Sequence, residues 1–215
     1  MKKIYALLII GTLIHLTVRA QVKWGVSAGY NHNAARIHLN NQLQKTGYVP
    51  GFNAAARIEI EFEPPLHFTG LLGVSRRGYH YKVTPDSAVK TAINYIDISP
   101  MLNYNIGIGS GNKISLISGN KISLMAGTLL GFAFSGKEKT TVNGLRSTRN
   151  MKFSLSNNYS YANLAAQAGI GFHFNKFFIE GIYQLGLNSI NSNEEFDNTN
   201  IKLRSISFNF GYWLK

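Results

Sequence analysis

From Val22 to Tyr30 the chain alternates strictly. Val22, Trp24, Val26, Ala28 and Tyr30 fall on one side, and Lys23, Gly25, Ser27 and Gly29 on the other. Residues 52–62 repeat the pattern, with Phe52, Ala54, Ala56, Ile58, Ile60 and Phe62 set against Asn53, Arg57, Glu59 and Glu61. A period of two separates such sets cleanly on a strand, whereas a helix would scatter them around its circumference. The same alternation predicts strands over 66–81, 93–104, 122–134, 161–174, 177–187 and about 203–214. In the fourth, Ile96, Ile98, Leu102 and Tyr104 oppose Tyr95, Asp97, Ser99 and Asn103. Eight strands of roughly 9 to 15 residues are each long enough to cross a bilayer at a tilt near 45°.

The connections alternate in length. Glu63-Pro64-Pro65 and Asn175-Lys176 are short turns, while 31–51, 82–92, 135–160 and 188–202 are long and polar. Short turns at one end and long loops at the other describe an outer-membrane barrel, and an even strand count puts both termini at the short-turn, periplasmic side. The middle turn departs from this rule because residues 110–117 are nearly repeated as 118–125. Eight is even, so the duplication keeps every copied side chain on its original face, and either copy could open the fifth strand. The expected fold is all-β: an eight-stranded antiparallel up-and-down transmembrane β-barrel.

Composition agrees with lipid on one face. Hydrophobic residues make up 45% and aromatics 12%, there are 21 glycines, and only 15% of residues are charged, against about 25% in soluble domains. Aromatics gather at strand ends (Trp24, Phe62, Phe172, Phe174 and Tyr212 among them), as interfacial girdles do. Lys2 and Lys3, an apolar run from Ile4 to Leu16, and Val18-Arg19-Ala20 before Gln21 form an export signal over residues 1–20, leaving the barrel as 21–215. That run is too short to span the hydrocarbon core comfortably as a helix. The absence of cysteine removes disulfides, lipoprotein anchoring, thiolate metal sites and a cysteine nucleophile.

A soluble barrel would bury its apolar face. Here the polar face carries charge, and Arg57, Glu59, Asp97 and Glu180 fall inside the lumen. An eight-stranded barrel has an interior just wide enough for side chains to fill, so the expectation is an ion-pair network that plugs it. Arg57 is expected to bridge across the lumen to Asp97 or Glu180, as the sole inward cation at mid-depth. A gated polar path is the functional alternative.

Without Lys2, Lys3 and Arg19, the chain keeps 19 basic against 10 acidic residues, a net charge of +9. Nearly all of this excess falls on the long-loop side. Arg76, Arg77, Lys82, Arg146, Arg149 and Arg204 are candidate contacts to the phosphates of lipopolysaccharide. Nucleic acid is not an expected partner of an exported barrel. The histidines, including His67 and His173 facing inward, form no metal-ligand spacing. No cofactor motif and no catalytic constellation is legible, so an enzyme is not expected.

Several features together resemble the outer-membrane β-barrel family common in Bacteroidetes that includes PorT-like proteins. They are Ala20-Gln21 after the export signal, Ser75-Arg76-Arg77-Gly78-Tyr79, and Tyr95-Ile96-Asp97-Ile98-Ser99-Pro100. Gly169-Ile170-Gly171, and Glu180 followed by Tyr183, belong with them. The resemblance implies a small Gram-negative outer-membrane barrel and, through its PorT-like members, association with secretion-system or other envelope proteins. Three function classes result: a plugged structural or surface-interaction barrel first, a secretion or transport accessory second, and a lipid-modifying or hydrolytic enzyme a distant third.

Overall fold

The computed structural model describes residues 22–84, 86–108, 120–153, 159–192 and 198–214. The export signal expected over 1–20 lies outside them. Eight strands make the wall: β1 (Val22–Leu39), β4 (Val49–Glu63), β5 (Leu66–Arg77), β7 (Ser87–Ile108), β8 (Asn120–Val142), β10 (Ala162–Phe174), β11 (Phe177–Gly186) and β12 (Thr199–Trp213). Each pairs antiparallel with the next, and β1 closes on β12 in a register running from Gly25 opposite Trp213 to Leu39 opposite Thr199. The result is the expected closed eight-stranded barrel, which hides every backbone edge of the wall.

Alternation sets the two faces of the wall. On β4 the outward positions run from Phe52 to Phe62, both more than half exposed. Those ten residue steps span about 33 Å along a strand. At a tilt near 45° they rise by the height of a typical apolar band, about 25 Å. At the short-turn end the outward rings touch: Phe177 sits 5.7 Å from Phe174, 5.7 Å from Phe210 and 5.1 Å from Tyr212. Asn175 takes a left-handed φ of 52° in the turn between β10 and β11.

The far end differs from the sequence expectation. Most of what reads as long polar loop is strand that continues above the apolar band. β1 runs on to Leu39, where Asn40 and Asn41 turn with φ of 48° and 63° into the short β2 (Gln42–Gln44). β8 extends to Val142, and Asn143-Gly144, at φ of 49° and 80°, returns the chain as β9 (Leu145–Asn150). Two successive left-handed residues match the twist of a two-residue hairpin, which is why Asn-Gly is favoured there. The third strand expected over 66–81 is likewise divided. β5 stops at Arg77, a Cβ on Gly78 would collide with the Thr91 carbonyl, and β6 (His80–Thr84) folds back on β7 beside β3 (Thr46–Gly47).

A register shift at Asn94/Tyr95 against β8 reverses the parity of β8 beyond it. Met125 and Leu129 face inward below the shift, while Gly136 and Glu138 do so above it. The first copy of the duplicated segment, 110–117, lies outside the described residues. β8 begins at Asn120, within the second copy, which therefore supplies Lys121, Ser123 and Met125 to the interior.

Candidate functional site: a filled lumen beneath a basic flank

The deepest charged group is Arg57 on β4. Its Nη1 lies 2.6 Å from Glu180 Oε1 on β11, across the lumen, and the two side chains are 0% and 1% exposed. The contact is an ion pair outside hydrogen-bond alignment, since none of these nitrogens or oxygens has a hydrogen-bonded protein partner. The guanidinium also lies 4.5 Å above the Phe178 ring and 5.3 Å from that of Trp213. A weakly hydrated planar cation suits such faces better than an ammonium would. Glycine makes the space. A Cβ on Gly25 would meet Trp213 Cε3 at 2.8 Å, and one on Gly211 would fall inside the Phe178 ring.

A second deck toward the long-loop end repeats this plan. Arg77 Nη2 donates to Asp97 Oδ1 at 2.6 Å and Nη1 donates to Asn163 Oδ1 at 2.9 Å. Its guanidinium lies 4.0 Å above the Tyr95 ring. Gly131 faces the cluster, and a Cβ there would crowd Arg77 Nη2 and lie 2.8 Å from Asp97 Oδ1. Arg77 is therefore not a surface cation. It is 3% exposed and points into the barrel, which corrects its assignment as a lipopolysaccharide contact.

Glu59 joins neither deck. It pairs with Lys121 on β8 at 3.1 Å and lies 3.7 Å from His67 Nδ1, near the short turns. Arg57 is the inward cation of the middle level; among the described residues Arg77 lies on the inward face nearer the long loops, and Lys121 and Lys23 lie nearer the short turns. Between the decks, neutral side chains bridge the lumen. Asn53 donates to Asn31 and Asn209 at 2.6 and 2.9 Å, and Gln167 donates to Ser99 and to the Thr128 carbonyl. The cavity left among Asn53, Asp97, Ser99, Gln167 and Gln184 is about 50 Å³, room for no more than a few waters.

Toward the long-loop end the described interior is packed with apolar side chains, which inward alternation of polar residues does not anticipate. Tyr79, Ile93, Tyr95, Met151, Tyr159, Ile190, Ile201 and Leu203 form one buried cluster. Above the apolar band, Glu138 accepts from Arg149 Nε at 2.8 Å and from the Tyr159 hydroxyl. Its hydrogen bond raises the Arg149 pKa. Burial first, and then Glu138, raise that of Tyr159.

The other proposed surface contacts separate into two groups. Arg76, Lys82 and Arg146 are exposed on the flank built from β5 to β9. Arg149 is 58% exposed but engaged by Glu138. Arg204, half-buried on β12, lies on the opposite wall, so these side chains do not converge. What the sequence reading missed is a pair. Lys90 on β7 stands directly opposite Lys139 on β8, with His80 and Thr148 completing the row.

Closed wall and filled interior define a small transmembrane β-barrel. The model of the family described as "Outer membrane protein beta-barrel domain" matches residues 17–192, and the chain belongs to that family. No curated protein matches the sequence. Among solved structures, the chain is similar to Ail, the attachment invasion locus protein of Yersinia pestis, at 16% identity and a TM-score of 0.43. That alignment covers 90% of this chain and 99% of Ail, in a complex with the heparin analogue sucrose octasulfate. It is also similar to Neisserial surface protein A, at 14% identity and a TM-score of 0.41, covering 89% and 98% of the two chains. The protein is an outer-membrane β-barrel.

Proposed function

We propose that this protein is a sealed surface barrel. Its long-loop end faces outward from the cell, its termini are periplasmic, and its extended hairpins contact lipopolysaccharide. The observation that carries the reading is the filling of the lumen at three successive levels: Glu59–Lys121, Arg57–Glu180 and Arg77–Asp97. The apolar cluster around Tyr95 and Tyr159 closes the mouth beyond them. Removing these charges from water is favourable only when each is paired, and an ion path would have to break several pairs at once. The reading assigns no catalytic residue and no cofactor.

A role as an accessory to a secretion system remains the second reading, supported by the PorT-like resemblance. The residues that carry it are largely lumen residues here, since Arg77, Tyr95 and Asp97 touch one another. Planar-bilayer recording tests the first reading. The purified barrel should give no steady conductance, and a reproducible single-channel current from the unmodified protein would overturn it. A cysteine in place of Leu145, at the β8–β9 turn, should react with an impermeant maleimide on intact cells; reaction only after permeabilisation would reverse the orientation.

A further inference from the structure

The outer face of the β6–β9 flank holds two adjoining grooves of about 580 and 370 Å³ that share Lys90, Lys139 and Thr148. Arg76 and Lys137 line the first, and His80 and Arg146 the second, and no carboxylate lines either. Lys90 and Lys139 are directly opposed across the β7–β8 ladder. Like charges in that position destabilise a sheet. The nearest described carboxylate on this hairpin, Glu138, faces the other way and is engaged by Arg149 and Tyr159.

The height of the grooves identifies the occupant. On β5, Arg76 follows the outward Val74. On β8, Lys137 comes three residues after the outward Phe134, and on β7 Lys90 stands six residues before the outward Ile96, farther from the band, level with Lys139. The cations therefore begin where the lipid-facing wall ends, at the level of the headgroups, and open sideways along that wall.

We propose that this double groove binds the phosphates of a phosphorylated glycolipid of the outer leaflet, with Lys90 and Lys139 clamping one phosphate between them. Arg76 and Lys137 on one side, and Arg146 on the other, serve neighbouring anionic groups. A phosphate between the two ammonium groups turns their repulsion into two charge-assisted contacts. The inference rests on the proposed orientation for its setting in the cell, but its test in vesicles does not.

The full barrel is reconstituted in phosphatidylcholine vesicles containing bis-phosphorylated lipid A or its dephosphorylated form, and lipid retention after detergent extraction is measured. The unmodified protein should retain the phosphorylated lipid. Lys90→Gln/Lys139→Gln should weaken retention at least about tenfold, the loss of one strong charged hydrogen bond. In vesicles without lipid A that variant should unfold no earlier than the unmodified protein, which separates lost binding from lost folding. Arg36→Gln/Lys202→Gln removes the like-charged pair on the opposite wall and should leave retention within about twofold, a change small beside one charged hydrogen bond.

Equal losses in the two variants would reduce the effect to net charge and overturn the site. Retention of the dephosphorylated lipid would overturn the phosphate chemistry. Inorganic polyphosphate binding without any lipid A retention would mark a soluble polyanion as the occupant and overturn the glycolipid. If the Leu145 cysteine proves inaccessible on intact cells while retention holds, the cellular reading fails and the groove chemistry stands.

Discussion

Arg57 and Glu180 allow the sealed-lumen argument to be tested in free energy. Substituting Arg57→Met keeps volume and removes charge, leaving the Glu180 carboxylate buried beside Phe178, with no other described cation as near. Breaking a buried pair from one side typically costs about 3–5 kcal/mol. The cation–π contacts at 4.5 and 5.3 Å add about 0.5–2 kcal/mol. Glu180→Gln alone leaves the guanidinium as the unpaired charge and should cost a similar amount. The double variant buries no net charge and loses chiefly the aromatic contacts, so its cost should be about 2 kcal/mol. The cycle therefore predicts strong coupling, with the double variant more stable than either single one. Urea unfolding in lipid vesicles measures it, followed by the fluorescence of Trp24 and Trp213. If the double variant cost as much as the two single changes together, Arg57 and Glu180 would not be an energetic pair and the plug argument would fail.

Three further outcomes follow from particular contacts. Gly211→Ala places a methyl inside the Phe178 ring and should cost about 1–3 kcal/mol by overpacking, whereas Gly181→Ala, with nothing within 4 Å of its Cβ, should stay within about 0.5 kcal/mol; the same unfolding assay compares them. Tyr159 has a raised pKa, so the folded state holds its proton more tightly than the unfolded one. Its contribution is complete below the ordinary tyrosine value of 10.0 and is lost as pH climbs past it; alkaline absorbance titration should show one late-ionising phenol fewer in Tyr159→Phe. Deleting Gly111–Ser118 joins Ser110 to Gly119 and restores one copy of the repeat in the same facing. The barrel should still form, as judged by heat-modifiable migration on a gel, and failure to form would give the extra copy a structural role.

Parity alone placed Arg57, Glu59, Asp97 and Glu180 on the lumen side, because a closed wall carries a period of two without interruption through the band. It also placed Arg77 there, on the same face as His67, Thr69 and Ser75. Its place beside Arg76 near the end of the 66–81 strand groups it instead with the basic residues of the long-loop side, and that charge argument overrides the parity. Asn143-Gly144 was a legible hairpin signal as well, and it would have shown that the stretch 135–160 is largely strand. Other features were not legible. The register shift that turns Glu138 inward leaves no local mark, and the duplication obscured which lysine enters the wall. The facing of Lys90 and Lys139 depends on a ladder between residues 49 positions apart, and register over that distance is set by the whole ring.

The adjacent arginines 76 and 77 show what kind of information the resemblance carries. Ser75-Arg76-Arg77-Gly78-Tyr79 and Tyr95-Ile96-Asp97-Ile98-Ser99-Pro100 are distant in sequence, yet Ser75 pairs with Tyr95 in the ladder and Arg77 joins Asp97 and the Tyr95 face. Gly78 leaves no room for a Cβ beside the Thr91 carbonyl, and Tyr79 enters the buried apolar cluster. These residues are held together by the need to fill a narrow interior with paired charge. Their presence therefore describes how the interior is filled and says little about what the barrel binds. Arg76 is one position away and faces outward, where a change costs the interior nothing. Binding differences between barrels sharing this interior should accordingly reside at outward positions beyond the apolar band, such as Arg76, Lys90 and Lys139, which can be exchanged without disturbing a single lumen contact.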